Sequence, residues 1–173
     1  PGALDAAGKD VMWIMLMLVA ALSFILSAVP MFFYKFTEKK QQEAVAEIKR
    51  RKEVTAVAIV QALKEVTGVE AQIKWPNDIL LGDLKLTGIL TELQAEPDRI
   101  QAIIVGIGMN VNQQATDFPE ELREIATSLR MKTDKKWDRA PIIAAILKYM
   151  EKYISIYEKE GFGPIRLLWE SYS

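Results

Sequence analysis

The chain contains no cysteine and no histidine. Without cysteine there are no disulfides, no thiolate nucleophiles and no cysteine-based zinc sites. Without histidine there is no Ser-His-Asp or Cys-His machinery, and zinc loses its usual nitrogen ligand, so no metal site is expected. Charge of one sign is also lacking: 22 basic residues face 23 acidic ones, for a net charge of −1. Nothing in that balance points to nucleic acid as a partner. No internal repeat or low-complexity tract is visible. Lys, Arg, Asp, Glu, Asn and backbone amides remain. They suit reactions that depend on positioning and charge stabilisation, such as nucleotidyl transfer to a carboxylate.

Length and patterning divide what is present. A chain of 173 residues suits one domain or a small domain with an appendage. A start on Pro1 rather than Met is expected of a fragment or a processed product. Val11–Phe33 carries no charged side chain. As a helix it spans roughly 34 Å at about 1.5 Å per residue, enough for a hydrocarbon core of about 30 Å. Trp13 at one end, and Phe32, Phe33 and Tyr34 at the other, suit interfacial positions, and Pro30 is expected to kink the last turns. A membrane-spanning helix is the reading taken, over a buried soluble helix or a signal peptide. Only Lys9, offset by Asp10, precedes the run, unlike the basic start of a signal peptide. The lipid bilayer is thus an expected partner through Val11–Phe33.

From Lys35 to Lys52 the composition becomes basic, with Lys35, Lys39, Lys40, Lys49, Arg50, Arg51 and Lys52 against Glu38, Glu43 and Glu47. The positive-inside rule places this end in the cytoplasm. The run reads as a solvated juxtamembrane helix, with anionic-lipid recognition as the alternative. The expected organisation is a transmembrane segment (1–34), a basic helix or linker (35–53) and a globular unit (54–173). Residues 35–173 are expected on the cytoplasmic side of a membrane. The whole chain is expected in the cytoplasm if the apolar helix is foreign to the protein.

After Arg51 the pattern is globular. Val54–Val66 has apolar residues at helical spacing, ending at Thr67-Gly68. Ala71–Trp75 reads as a short strand stopped by Pro76. Ile79–Leu81, Gly82-Asp83 and Leu84–Leu93 read as a hairpin, with glycine first in a type II′ turn. Glu96-Pro97-Asp98 suggests a further turn, and Ile100–Ile107 an apolar strand central to a sheet. Helices are expected over 119–129, 139–159 and 164–172. Ile142, Ile143, Ile146, Leu147, Met150, Ile154 and Tyr157 mark one face of the second, with Asp138 as its N-cap and Gly161 as its stop. The fold class is α+β.

Three segments have chemical interest. In Lys74-Trp75-Pro76-Asn77-Asp78, a strand lysine is costly to bury unless its ammonium reaches solvent, a carboxylate or a phosphate. It is either a surface lysine on an edge strand or, given the glycine segments that follow, a ligand-facing group. Gly88 interrupts a good strand in Gly88-Ile89-Leu90-Thr91-Glu92, which fits a bulge, tight packing or close approach of a ligand. Glu92 reads as an exposed strand residue, with a metal ligand or the cap of a polar network as the alternative. Gly106-Ile107-Gly108-Met109-Asn110-Val111-Asn112 ends a strand, as a plain turn or as room for a ligand, and Asn110 can both donate and accept. Neither a dinucleotide fingerprint nor a P-loop is present.

Together, KWPND, GILTE and GIGMNVN resemble the catalytic core of biotin protein ligases, and the similarity runs from about Val54 to the end. The resemblance implies a partial biotin/lipoyl ligase-like sheet with helices. It also implies adenylation of biotin with ATP and Mg2+, followed by transfer to a lysine of a biotin carboxyl carrier protein domain. By that resemblance Lys74 holds the biotin carboxylate and stabilises developing charge, and Gly88, Ile89 and Leu90 line the biotin slot through backbone groups. Gly106 and Gly108 make room for the adenylate, and Asn110 reads the adenine. The family's Gly/Arg-rich closing loop has no counterpart in residues 1–53, and the chain stops at Ser173, where its usual C-terminal β-barrel is expected to start. Weak or no turnover is therefore expected. Separately, YKFTEKKQQEAVAEIKRR resembles the C-terminal end of glycoside–pentoside–hexuronide sugar–cation symporters, implying an origin for residues 1–52 rather than transport.

Overall fold

The computed structural model describes the backbone of residues 6–33, 38–95 and 100–173, and the side chains of 10–30, 41–94 and 101–173. Helix α1 (Ala6–Phe33) continues through Pro30. Every described side chain along it is exposed except the half-buried Ala28. Tyr34, Lys35 and the turn at Glu96-Pro97-Asp98 lie outside the described residues.

Helix α2 (Glu38–Thr67) is continuous across the expected boundary at 53/54. Its character changes there. Glu47 and Arg51 form an i, i+4 pair at 2.8 Å on its first half. From Glu53 to Val60 every residue is buried, and Ala62 and Leu63 follow at 0% exposure. A helix apolar on all sides must be enclosed on all sides. Here α2 lies between a four-stranded sheet and the two C-terminal helices. Three small residues, Ala56, Ala58 and Ala62, let the layers approach closely.

The sheet is an antiparallel meander of β1 (Gln72–Lys74), β2 (Asp78–Leu81), β3 (Leu84–Ala95) and β4 (Ile100–Met109), in that spatial order. At the β2–β3 turn Gly82 has φ +61° while Asp83 does not have positive φ, the pattern of a type II′ hairpin. One face supplies the core through Ile73, Ile79, Thr87 and Ile89, each 5% exposed or less. Among the described residues the other face is open, with Leu90 61% exposed on it.

Two expectations are corrected. β4 is an edge strand rather than a central one, with Ile104 on the open face 53% exposed. Its apolar composition therefore does not reflect burial on both faces. Residues 119–129 do not form a helix. They make a 3-10 turn at Glu120–Leu122, and the chain then runs beside β3. Lys85 donates to Ile125 O and accepts from Thr127 N, both at 2.8 Å, so that backbone is committed to the sheet.

Helix α3 (Leu129–Thr133) begins at Ser128, whose hydroxyl accepts from Met131 N at 3.0 Å. Helix α4 (Arg139–Glu160) is capped by Asp138, which accepts from Ala140 N, and ends at Gly161 with φ +78°. Its apolar face is only partly covered. Ile142 and Ile146 are buried, whereas Ile143 and Leu147 are 56% and 60% exposed. Helix α5 (Gly163–Tyr172) closes the layer, tied to α2 by a 2.6 Å hydrogen bond between Gln61 and Tyr172.

Candidate functional site

Strand register brings the three motifs into one row. Lys74 lies opposite Asp78, Asp78 opposite Gly88, and Gly88 opposite Gly108. Directly paired residues in a sheet present their side chains on the same face. The neighbouring row, Ile73–Ile79–Thr87–Met109, points into the core, so the Lys74 row faces the open side. Two residues further along, Leu90 lies opposite Gly106 on that same side, with Leu90 61% exposed. Segments far apart in sequence thus form a shallow surface: ammonium, carboxylate, two glycines, then leucine beside a third glycine.

The fold does not require glycine at these three positions. None of Gly88, Gly106 and Gly108 has positive φ. A Cβ added at Gly88 would come no closer than 3.5 Å to another atom, at Gly106 no closer than 3.8 Å, and at Gly108 no closer than 3.9 Å. These are ordinary van der Waals contacts. Tight packing therefore does not account for the glycines, and the register shift between β2 and β3 falls at Leu86 rather than at Gly88.

The electrostatics of the row involve a residue that motif reading missed. Lys85 Nζ lies 2.6 Å from Asp78 Oδ1, as an ion pair without hydrogen-bond alignment, and its side chain passes over Gly88. Pairing with Lys85 offsets the Asp78 carboxylate, and among the described residues no salt bridge involves Lys74. Lys85 lies outside the glycine motifs, and only the strand register brings it to Asp78.

Ile89 differs from its neighbours. Its side chain is in the core at 1% exposure. Its N–H donates to Asn77 O at 2.9 Å, and its carbonyl accepts from Asn77 Nδ2 at 3.3 Å. Asn77 thus anchors the loop after Lys74 onto β3. Asn110 follows β4 directly. Its N–H donates to Leu86 O at 3.0 Å and its carbonyl accepts from Leu129 N at 3.1 Å, which holds its half-exposed side chain at the end of the row. Asn112 pairs with the backbone of Trp137, donating at 2.8 Å and accepting at 2.9 Å. Its role is to dock the loop ahead of α4. Among the described residues no cluster of three or more acidic side chains could hold a metal ion.

An antiparallel sheet backed by helices, with a lysine and three glycines lining one face, defines an α+β unit. The biotin/lipoate A/B protein ligase family matches residues 10–110, and the chain belongs to that family. The bifunctional ligase/repressor BirA of Bacillus subtilis is 56% identical over 106 residues, which are 61% of this chain and 33% of that protein. The biotin–[acetyl-CoA-carboxylase] ligase of Mycobacterium tuberculosis is 39% identical over 85 residues, or 49% of this chain and 29% of that protein. The structure of the Aquifex aeolicus biotin protein ligase in complex with biotin and ATP superposes with a TM-score of 0.64 at 33% identity. That match covers 72% of this chain and 51% of that one. The chain spans about a third of the length of these two curated relatives. The resemblance of residues 1–52 to sugar–cation symporters gains no support from these matches.

Proposed function

We propose that this chain carries the biotin-facing half of a biotin-adenylation site, with weak or no turnover of its own. The three glycines facing the open side without a packing reason carry this reading. In the proposed reaction an oxygen of the biotin carboxylate attacks the α-phosphorus of ATP, and pyrophosphate leaves with the bond's electron pair. Lys74 pairs the carboxylate and offsets charge as the attack proceeds. Leu90 supplies an apolar side chain to the ligand, and the strand at Gly88 and Ile89 approaches it through main chain. Gly106 and Gly108 leave space for the adenylate, and Asn110 meets the adenine edge with its amide. Among the described residues no carboxylate cluster could cage Mg2+, which would enter on the nucleotide's phosphates. The acceptor in this reading is a lysine of a biotin carboxyl carrier protein domain.

Weak turnover follows from the charge available. Among the described residues the open face presents Lys74, the Asp78–Lys85 pair and Glu92, so few positive groups are there to stabilise charge developing on the phosphates. The proposal extends to α1, whose uncharged, exposed length from Val11 to Pro30 suits a bilayer anchor that holds the folded part on the cytoplasmic side.

A thermal-shift titration with biotinyl-5′-adenylate tests the site. The expected result is a small upward shift that Lys74→Ala abolishes without lowering the unliganded midpoint. No shift in the parent chain would favour the competing reading, a folded but non-catalytic tail on a membrane segment. Biotin- and ATP-dependent pyrophosphate release at a readily measured rate would refute the claim of weak turnover. Resistance of the chain to alkaline carbonate extraction from membranes tests the anchor.

A further inference from the structure

Strand β3 breaks its alternation just before the glycine row. Ile79 pairs with Thr87 but Leu80 pairs with Lys85, so Leu86 is an extra residue in β3, a β-bulge. Leu86 and Thr87 are consecutive and both buried, at 0% and 1% exposure. In a regular strand Lys85 would share the face of Thr87 and point into the core. The bulge turns it to the open face instead. There its side chain is 47% exposed and its Nζ lies 2.6 Å from Asp78 Oδ1.

Two features separate Lys85 from an ordinary surface lysine. Its backbone is held by Ile125 O and Thr127 N, both at 2.8 Å, so a change of position falls to the flexible side chain. Its stem also lies in the space a ligand against β3 needs. Cε and Nζ are 3.5 Å and 3.6 Å from the point a Cβ on Gly88 would occupy. A ligand lying against Gly88 has to displace that stem and loosen the ammonium from Asp78. The nearest new partner for the ammonium is an anionic group on the ligand that displaced it.

We propose that Lys85 is the second cation of the site, resting on Asp78 when the site is empty and pairing with the phosphate of the adenylate when it is filled. The proposal rests on the biotin-adenylation reading. Lys74 and Lys85 flank Asp78, Lys74 opposite it on β1 and Lys85 reaching it from β3. Neighbouring strands lie about 4.8 Å apart. In an acyl adenylate the carbonyl carbon and the phosphorus share one bridging oxygen, so ammonium groups on either side of Asp78 can meet both ends of that linkage. Lys74 takes the carbonyl end. Lys85, over Gly88 and next to Gly108, takes the phosphate, for which a compact ammonium is a suitable point charge. Asp78 is then a positioning residue that keeps the ammonium at the site between ligands.

The test follows binding of biotinyl-5′-adenylate, AMP and biotin to the full chain in detergent by calorimetric titration. Lys85→Met keeps the stem and removes the charge. It is expected to weaken the adenylate by at least about tenfold, as loss of a charged hydrogen bond does, and AMP in parallel, with biotin affinity unchanged. Lys74→Ala is expected to do the converse, weakening biotin and sparing AMP. Lys85→Arg restores a charge and should recover most of the adenylate affinity. Adenylate affinity untouched by Lys85→Met, or a loss equal for biotin and AMP, as expected of a pair that only joins β2 to β3, overturns the proposal and leaves the biotin reading standing. Absence of adenylate binding by the parent chain overturns both. If AMP and biotin alone bind too weakly to measure, the adenylate decides: equal losses in Lys85→Met and Lys85→Arg refute the proposal, and recovery in Lys85→Arg supports it.

Discussion

Alanine at Gly106 separates a glycine kept for a ligand from one kept for the fold. A Cβ there would meet only Leu90 Cβ and Leu90 O, both at 3.8 Å, and the backbone is not in the left-handed region. Glycine within a strand is destabilising by about 0.5–1 kcal/mol relative to alanine, because it loses more backbone freedom on folding. Gly106→Ala should therefore stabilise the chain by that amount, raising Tm by roughly 1–4 °C for a protein of this size. The same methyl projects into the space a ligand needs against β4. Binding of biotinyl-5′-adenylate should weaken by at least about tenfold, or 1.4 kcal/mol. Differential scanning fluorimetry with and without the adenylate measures both effects. Gly82→Ala is the control, since φ +61° at the β2–β3 turn demands glycine and that variant should lose about 1 kcal/mol. A fall in unliganded Tm for Gly106→Ala, or an adenylate shift equal to the parent's, would refute the reasoning.

Asn112→Ala should cost about 1–3 kcal/mol in urea unfolding, because it removes both partners of the Trp137 backbone. Burial raises the Glu53 carboxyl above its usual range, although Lys49, Arg166 and Arg50 oppose the shift. Its charged form therefore destabilises the fold at neutral pH, and Glu53→Gln should raise Tm at pH 7, with the gain vanishing as pH falls through the raised value. Burial also pushes Glu47 up, but hydrogen bonds from Tyr157 and Arg51 outweigh it and the net shift is downward. That stabilisation is full above the unfolded carboxyl's ordinary 4.5 and is lost as pH falls below it, so Tyr157→Phe should destabilise at pH 7 and progressively less in acid.

The legible parts of the fold were those governed by local physics. Helical spacing located α4 and α5 to within a residue or two, and Asp138 and Gly161 marked the ends of α4. Gly82 announced the hairpin because only glycine takes that turn position without strain. The failures involved partners distant in sequence. Residues 119–129 carry helix-forming side chains, yet their backbone is taken by Lys85. β4 reads as a central strand because apolar composition reports only that faces are apolar, not whether a neighbour covers them. α2 runs through the change from basic to apolar residues because helical hydrogen bonds are local and ignore the composition on either side.

Of the candidate site, the sequence alone determined the chemistry available: no histidine or cysteine, lysines on two of the strands, three glycines interrupting good strands, and an asparagine after the last. Those are properties of residue types and short spacings. Tertiary structure decided the rest. Strand register set Lys74, Asp78, Gly88 and Gly108 in a single row, brought Lys85 to Asp78, and turned Ile89 into the core. It also left β4 at an edge. Which residues share a face depends on pairing between strands, and pairing follows from how the whole sheet packs on α2. No short stretch of sequence contains that information.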